Sequence, residues 1–297
     1  MHLNDAQIDA FHEEGFLVVE EALGADDLDP LIEDFETLIG EIARELFEEN
    51  KITRLYEEET FERRIALLSR EAGESLQGRV SFPSNLRRPL FEFLHNEHLL
   101  DLIESITGTE IYCNPTHHVR PKLPEPLTPA EFDQWVQRSP FHQDAAVLLP
   151  EADDTLIVTS WMPLVDSTPE NGTLKIYPGL HRGEIRRHVR CPYGWMIAED
   201  ELPEGDPITI PLKKGGLVLI HCRTPHGSGP NLSDHTRWSL DLRWHDARKP
   251  AGRPLPGILV RSRANPESVK RDHQAWIDAW QAVMADRTPR RMYRWED

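Results

Sequence analysis

Four polar residues in two short segments have the types and spacing to do chemistry together. Phe141-His142-Gln143-Asp144 is an H-x-D step. On a strand, residues i and i+2 point to the same side, so one imidazole and one carboxylate can grip a single ion. A third ligand must come from elsewhere, and His226, in Thr224-Pro225-His226-Gly227-Ser228-Gly229-Pro230-Asn231, is the best placed. Two histidines and one carboxylate form the facial set of a non-haem iron(II) centre, with three positions of an octahedral metal left open. A 2-oxo acid can take two of them and dioxygen the third. Eleven residues past His226 stands Arg237, whose planar fork can pair bidentately with the far carboxylate of such an acid.

An H-x-D step alone is common, and with fourteen histidines in the chain most must do something else. His221 is the rival for the third ligand. His226 is preferred for its distance from Arg237 and for Gly227 and Gly229, which give the backbone room for a close approach. His117 and His118 precede the motif on a strand, where one can face the pocket. His181 is read as a loop residue behind the site, and His188, His235, His245 and His273 as structural. Arg237 opens the strand Arg237-Trp238-Ser239-Leu240-Asp241-Leu242-Arg243-Trp244, which alternates polar and apolar throughout. By itself that pattern fits a solvated strand face with surface ion pairs; lining a cavity, it fits a charged co-substrate.

The elements that must position these residues fall into three stretches. Up to residue 109 the pattern is mostly helical: a short helix capped by Asn4 or Asp5, a strand-like run from Phe16 to Val19, a long amphipathic helix over 25–49, and another over Leu90 to Ile106. From 110 to 245, short β-like runs alternate with Pro and Gly turns, at 110–122, 155–165, 173–177, 207–212, 216–222 and 236–245. A helical pattern returns from Val269 to Val283 and closes the chain. The expected architecture is mainly β with flanking helices, built around a sandwich or barrel, in one domain spanning 1–297. Segments 50–85 and 123–140 are candidates for a lid over the pocket. Arg54, Arg63, Arg64, Arg79, Arg87 and Arg88 could meet an anionic substrate from the helical part, although solvated surface arginines are the commoner case.

Composition bounds the function. A net charge of −18 repels phosphate backbones and argues against nucleic-acid binding. No apolar run is long enough to span a membrane, and the N-terminus lacks the features of a signal peptide, so a soluble cytoplasmic protein is expected. Cys113, Cys191 and Cys222 lie far apart, which suits a reducing compartment and neither a disulfide framework nor a zinc ribbon. Oligomeric state is not legible.

Four stretches, in order along the chain, resemble the phytanoyl-CoA dioxygenase family of iron(II)/2-oxoglutarate oxygenases. They are Ile8 to Val19, Phe141 to Asp144, Glu170-Asn171-Gly172-Thr173-Leu174 through Pro178-Gly179-Leu180-His181-Arg182, and His226-Gly227-Ser228 through Asn231 to Arg237. Leu180 departs from the family's serine in the third. The resemblance implies a double-stranded β-helix (jelly-roll) core. It also implies iron(II) held by His142, Asp144 and His226, with 2-oxoglutarate and O2 as co-substrates. It places Arg237 and Ser228 on the far carboxylate, adds a basic residue on the preceding strand (Arg120 or Lys122), and sets Trp161 near the co-substrate. The implied reaction is hydroxylation of a small molecule with succinate and carbon dioxide as co-products. Asp144 keeps the carboxylate that related halogenases replace with a small residue. Two other readings remain at this stage: a zinc or other divalent-metal hydrolase or isomerase, and a non-catalytic binding protein on the same fold.

Overall fold

The computed structural model describes residues 1–128, 139–192 and 194–295. The first helix, α1 (Asp5–Glu14), is capped by Asn4: its side chain accepts from the Gln7 amide while the Gln7 side chain accepts from the Asn4 amide, a reciprocal box that satisfies two otherwise free donors. Gly15, at φ +75°, ends the helix and turns the chain into β1 (Phe16–Val19). The long helix α2 (Ala25–Glu48) buries Leu28, Leu31, Phe35, Ile39 and Leu46 on one face, as its spacing predicts. The helix expected over 90–106 is two helices, α5 (Arg88–Phe93) and α6 (Glu97–Thr107). Asn96 stands extended between them and accepts from the Leu99 amide at 2.9 Å, so a local cap interrupts a continuous apolar pattern. The 50–85 segment forms α3 (Phe61–Ala72) and α4 (Gln77–Val80). At the far end α7 (His273–Ala285) starts four residues later than the apolar pattern suggested; Val269 lies ahead of it, extended.

Two antiparallel sheets make the β core. The larger runs β1, β9 (Leu217–His221), β4 (Val158–Pro163), β11 (Arg237–Asp246), β2 (Glu110–Lys122), β12 (Ile258–Ser262). The smaller runs β3 (Ser139–His142), β10 (His226–Ser228), β5 (Leu174–Ile176), β8 (Ile208–Ile210), and a separate hairpin joins β6 (His188–Cys191) to β7 (Gly194–Ile197). Neighbours distant in sequence match the expected double-stranded β-helix, although among the described residues the two sheets do not join into a closed barrel. The core also draws strands from outside 110–245: β1 pairs with β9, and β12 with β2. Of the segment 123–140, residues 139 and 140 belong to β3 and residues 129–138 lie outside the described residues.

The larger sheet separates two environments. One face packs on the helices, with Trp238 stacked on Phe61 at 4.7 Å and against Phe35 at 5.5 Å. The other face packs on the smaller sheet through Trp161, Val218, Ile220, Leu174 and Ile176, and a cavity opens between the sheets. No helix among the described residues is long and apolar enough to cross a membrane.

Candidate metal centre and its cavity

His142 is the last residue of β3, and Asp144 begins a 3-10 turn rather than continuing the strand. Gln143 between them keeps extended torsions, φ −112° and ψ 130°, so the two side chains still emerge on one side. His226 opens β10 and pairs directly with His142 across the ladder. One ligand atom from each of His142, Asp144 and His226 lies within 4.8 Å of the others, which is close enough to hold a metal ion. The imidazole rings sit 4.4 Å apart, centroid to centroid. Gly227 makes this pairing possible: a Cβ there would stand 2.8 Å from the Ser139 carbonyl oxygen on β3. Gly229, also expected to give room, has open space around it.

The surrounding bonds suit these groups to a cation. Nδ1 of His142 lies 2.8 Å from the Pro140 carbonyl, and Nδ1 of His226 lies 2.9 Å from that of Thr224. A carbonyl can only accept, so both rings carry their proton on Nδ1 and offer the Nε2 lone pair. Burial, with His226 alongside, pushes His142 down to about 3 and keeps it neutral. Burial alone would raise the Asp144 carboxyl, but the Arg243 guanidinium outweighs it and holds the group ionised. Arg243 donates to Asp144 Oδ1 at 2.7 Å, and Thr159 donates its hydroxyl to Oδ2. Behind the motif, His188 Nε2 accepts from the Gln143 amide at 3.0 Å.

Next to the three lies a cavity of about 160 Å³ lined from both sheets, with Lys122, Trp161, Ser228, Arg237 and Arg243 among its walls. Arg237 is 3% exposed and has no carboxylate partner among the described residues. Its Nη1 donates to Ser239 Oγ at 2.8 Å, its Nε is unbonded, and its guanidinium lies 5.3 Å from the Trp161 ring. Burial and the nearby Arg120 push it down to about 10. A buried cation so placed is strongly disfavoured unless an anion joins it. Lys122 faces Arg237 across the β2–β11 ladder and donates to Ser228 Oγ at 2.6 Å and to the Gly229 carbonyl at 2.5 Å. Arg120, on the same face of β2, donates from Nε to Asp241 Oδ1 at 3.0 Å.

The family model described as phytanoyl-CoA dioxygenase (PhyH) matches residues 11–239, well over half of the sequence. The chain belongs to the phytanoyl-CoA dioxygenase family. Within it, the chain is 25% identical to phytanoyl-CoA dioxygenase domain-containing protein 1 of Bos taurus over 256 residues, covering 79% of this chain and 87% of that protein. Among the solved structures that share its fold are two enzymes. One is the apo form of the non-haem monooxygenase ThoJ, at TM-score 0.61 and 21% identity over 94% of this chain and 95% of that one. The other is the epimerase SnoN in complex with Fe3+, α-ketoglutarate and nogalamycin RO, at TM-score 0.52 and 19% identity over 84% and 86%. Family, fold and cofactor set (iron, 2-oxoglutarate and O2) agree with the expectation from sequence, and as a phytanoyl-CoA dioxygenase family member the chain is a 2-oxoglutarate-dependent oxygenase.

Against this site the remaining histidines separate. His221 is not brought to His142 and Asp144; it packs against His181 at 5.1 Å, and its Nδ1 accepts from the Arg223 amide. His118 lines the cavity, whereas His117 points into the helical core against Phe82. The arginines of the helical part are committed elsewhere: Arg54 to Glu58, Arg63 to Asp234, Arg79 to Glu45, Arg87 to Asp34 and Glu41, Arg88 to Glu92, and Arg64 to the Leu55 carbonyl. From the 50–85 segment it is Gln77 and Ser81 that reach the cavity. Sequence reasoning missed Thr159 and saw Arg243 only as part of an alternating face; His188, read as structural, supports the Gln143 amide. The one available signal was that the polar side of β11 carries two arginines flanking an aspartate.

Proposed function

We propose that the protein is an iron(II)- and 2-oxoglutarate-dependent dioxygenase that hydroxylates a C–H bond of a small-molecule metabolite or biosynthetic intermediate, with succinate and carbon dioxide as co-products. The observation that carries this reading is the conjunction of two features in one cavity: a His-Asp-His set within 4.8 Å and a buried arginine with no anionic partner among the described residues. On this reading residues 1–297 act as one oxygenase domain. His142, Asp144 and His226 hold iron(II), and Arg237, Lys122 and Ser228 receive the far carboxylate of 2-oxoglutarate beside Trp161. When bound, the iron, the 2-oxo acid and O2 supply the oxidising power for C–H cleavage.

The chain's own groups prepare the site. The Pro140 and Thr224 carbonyls hold the Nδ1 protons and so aim both Nε2 lone pairs. Arg243 and Thr159 hold Asp144 ionised and oriented. Trp161, Leu174 and Ile220 give the cavity an apolar side that limits water. Arg237, stacked on Trp161, offers a fork to one carboxylate in a low-dielectric setting where such a pair is strong. A metal hydrolase would leave that arginine without a role.

The test is succinate formation from 2-oxoglutarate with iron(II), ascorbate and air, across a panel of small molecules. Succinate should require iron(II) and fall roughly 100-fold or more in His226→Ala. In Arg237→Ala the loss should lie mainly in the KM for 2-oxoglutarate. An iron-loaded protein that fails to bind 2-oxoglutarate anaerobically would end the oxygenase reading. The product formed from the stimulating compound separates hydroxylation from epimerisation.

A further inference from the structure

We propose that the substrate carries an oxyanion group, a carboxylate or a phosphate, and that Arg120 receives it; this rests on the oxygenase reading above.

The placement follows from β2. His118, Arg120 and Lys122 alternate onto its cavity face. Lys122 is opposite Arg237 and Arg120 opposite Ser239, so Arg120 stands two residues, ~7 Å, along the strand from the co-substrate anchor. Lys122 is bound to Ser228 and Gly229. Arg120 is held only through Nε, by Asp241, and both of its Nη groups lack a hydrogen-bond partner among the described residues. Its side chain is 42% exposed, against 4% for Arg243. The fork is therefore fixed at its stem and accessible at its tip.

Asp241 cannot neutralise Arg120 alone, because its other oxygen takes Arg243 at 3.2 Å, and Arg243 in turn binds Asp144. A line of alternating charges, Arg120–Asp241–Arg243–Asp144, runs from the accessible end of the cavity to the metal ligands. Leaving Lys122 aside, three guanidinium groups (Arg120, Arg237, Arg243) face two carboxylates (Asp241, Asp144) among the described residues. A divalent metal and a dianionic co-substrate add no net charge. Among the described residues one guanidinium charge is then left over, and the accessible one of the three is Arg120. Beside the apolar wall of Trp161, Leu174 and Ile220, a neutral substrate would leave both Nη groups to water, whereas an oxyanion can meet them at once.

The experiment uses the full chain with iron(II) and 2-oxoglutarate under anaerobic conditions. The iron–2-oxoglutarate absorption band reports co-substrate binding, and its shift reports a third ligand. Octanoate, octyl phosphate and octanamide are the probes; the first two separate carboxylate from phosphate. At least one anion should shift the band at concentrations roughly tenfold or more below the amide. Arg120→Gln should erase that difference and Arg120→Lys should keep part of it, with 2-oxoglutarate affinity changed by no more than about threefold in either. Equal responses to all three probes, including none, would overturn the proposal. So would an undiminished anion response in Arg120→Gln, or a loss of 2-oxoglutarate affinity of about tenfold or more, which would make Arg120 part of the co-substrate anchor. If the wild type shows no band, it is the oxygenase reading that fails.

Discussion

Asp144 shows how much one side chain's setting matters. Both of its oxygens are engaged by the protein, one by Arg243 and one by Thr159, so it is ionised and oriented before any metal arrives. Removing Arg243 would leave Asp144 and Asp241 as buried carboxylates without their shared partner, a loss that typically costs about 3–5 kcal/mol. In Arg243→Met the metal-free protein should melt well below wild type. Saturating metal should then restore more of the melting temperature than it adds to wild type, because the metal discharges Asp144. Calorimetry with and without manganese(II) checks this; an equal increment in both proteins would show that Arg243 and the metal do not share that carboxylate. None of this is visible in the H-x-D step, which offers the carboxylate but not its partners.

At the scale of elements, the site is the seam between β3 and β10. These strands are only four and three residues long, and their pairing alone brings His142 opposite His226. Gly227 permits the approach, and the tight contact is with backbone, which cannot swing aside. Gly227→Ala should push the strands apart at a cost of about 1–3 kcal/mol and weaken metal binding more than it weakens the fold. Metal affinity by titration, set beside thermal melting, distinguishes the two effects; unchanged metal affinity would mean that the seam tolerates the shift. Strands this short carry no alternation to read. Longer ones, β2 and β11, were legible from sequence nearly to the residue because each presents many alternating positions to two different environments. The break between α5 and α6 went the other way: apolar spacing continued through a point where Asn96 caps a new helix.

For the molecule as a whole, the larger sheet is a partition, with helices on one face and the cavity on the other. Several histidines are buried by this arrangement and held neutral. His117 is one, pushed down to about 3 by burial and, less, by Arg243. The unfolded chain takes up a proton at that imidazole below its ordinary 6.5 while the folded chain does not, so its contribution to stability is complete above that pH and is lost as pH falls toward 3. The loss is ~1.4 kcal/mol per pH unit for each such group. His142 and His221, at about 3 and about 4, act in the same direction. The stability of the metal-free protein should therefore drop between pH 6.5 and 4, and His117→Leu should flatten that dependence by about one proton's worth. Denaturant unfolding at several pH values measures the slope; an unchanged slope would place the titration at other groups.

The main helical faces, the long strands and the family were legible in the sequence, because each rests on local periodicity or on motifs whose parts lie close along the chain. Tertiary structure decided the rest. It turned the polar face of β11 inward, because a second sheet covers it, where alternation alone would equally suit a strand facing water. It paired His226 directly with His142, in line with the preference drawn from its distance to Arg237, and left His221 packed against His181. It also separated Lys122, bound to Ser228 next to Arg237, from Arg120, held out by Asp241. Those partners lie more than a hundred residues away along the chain, and only folding brings them into contact.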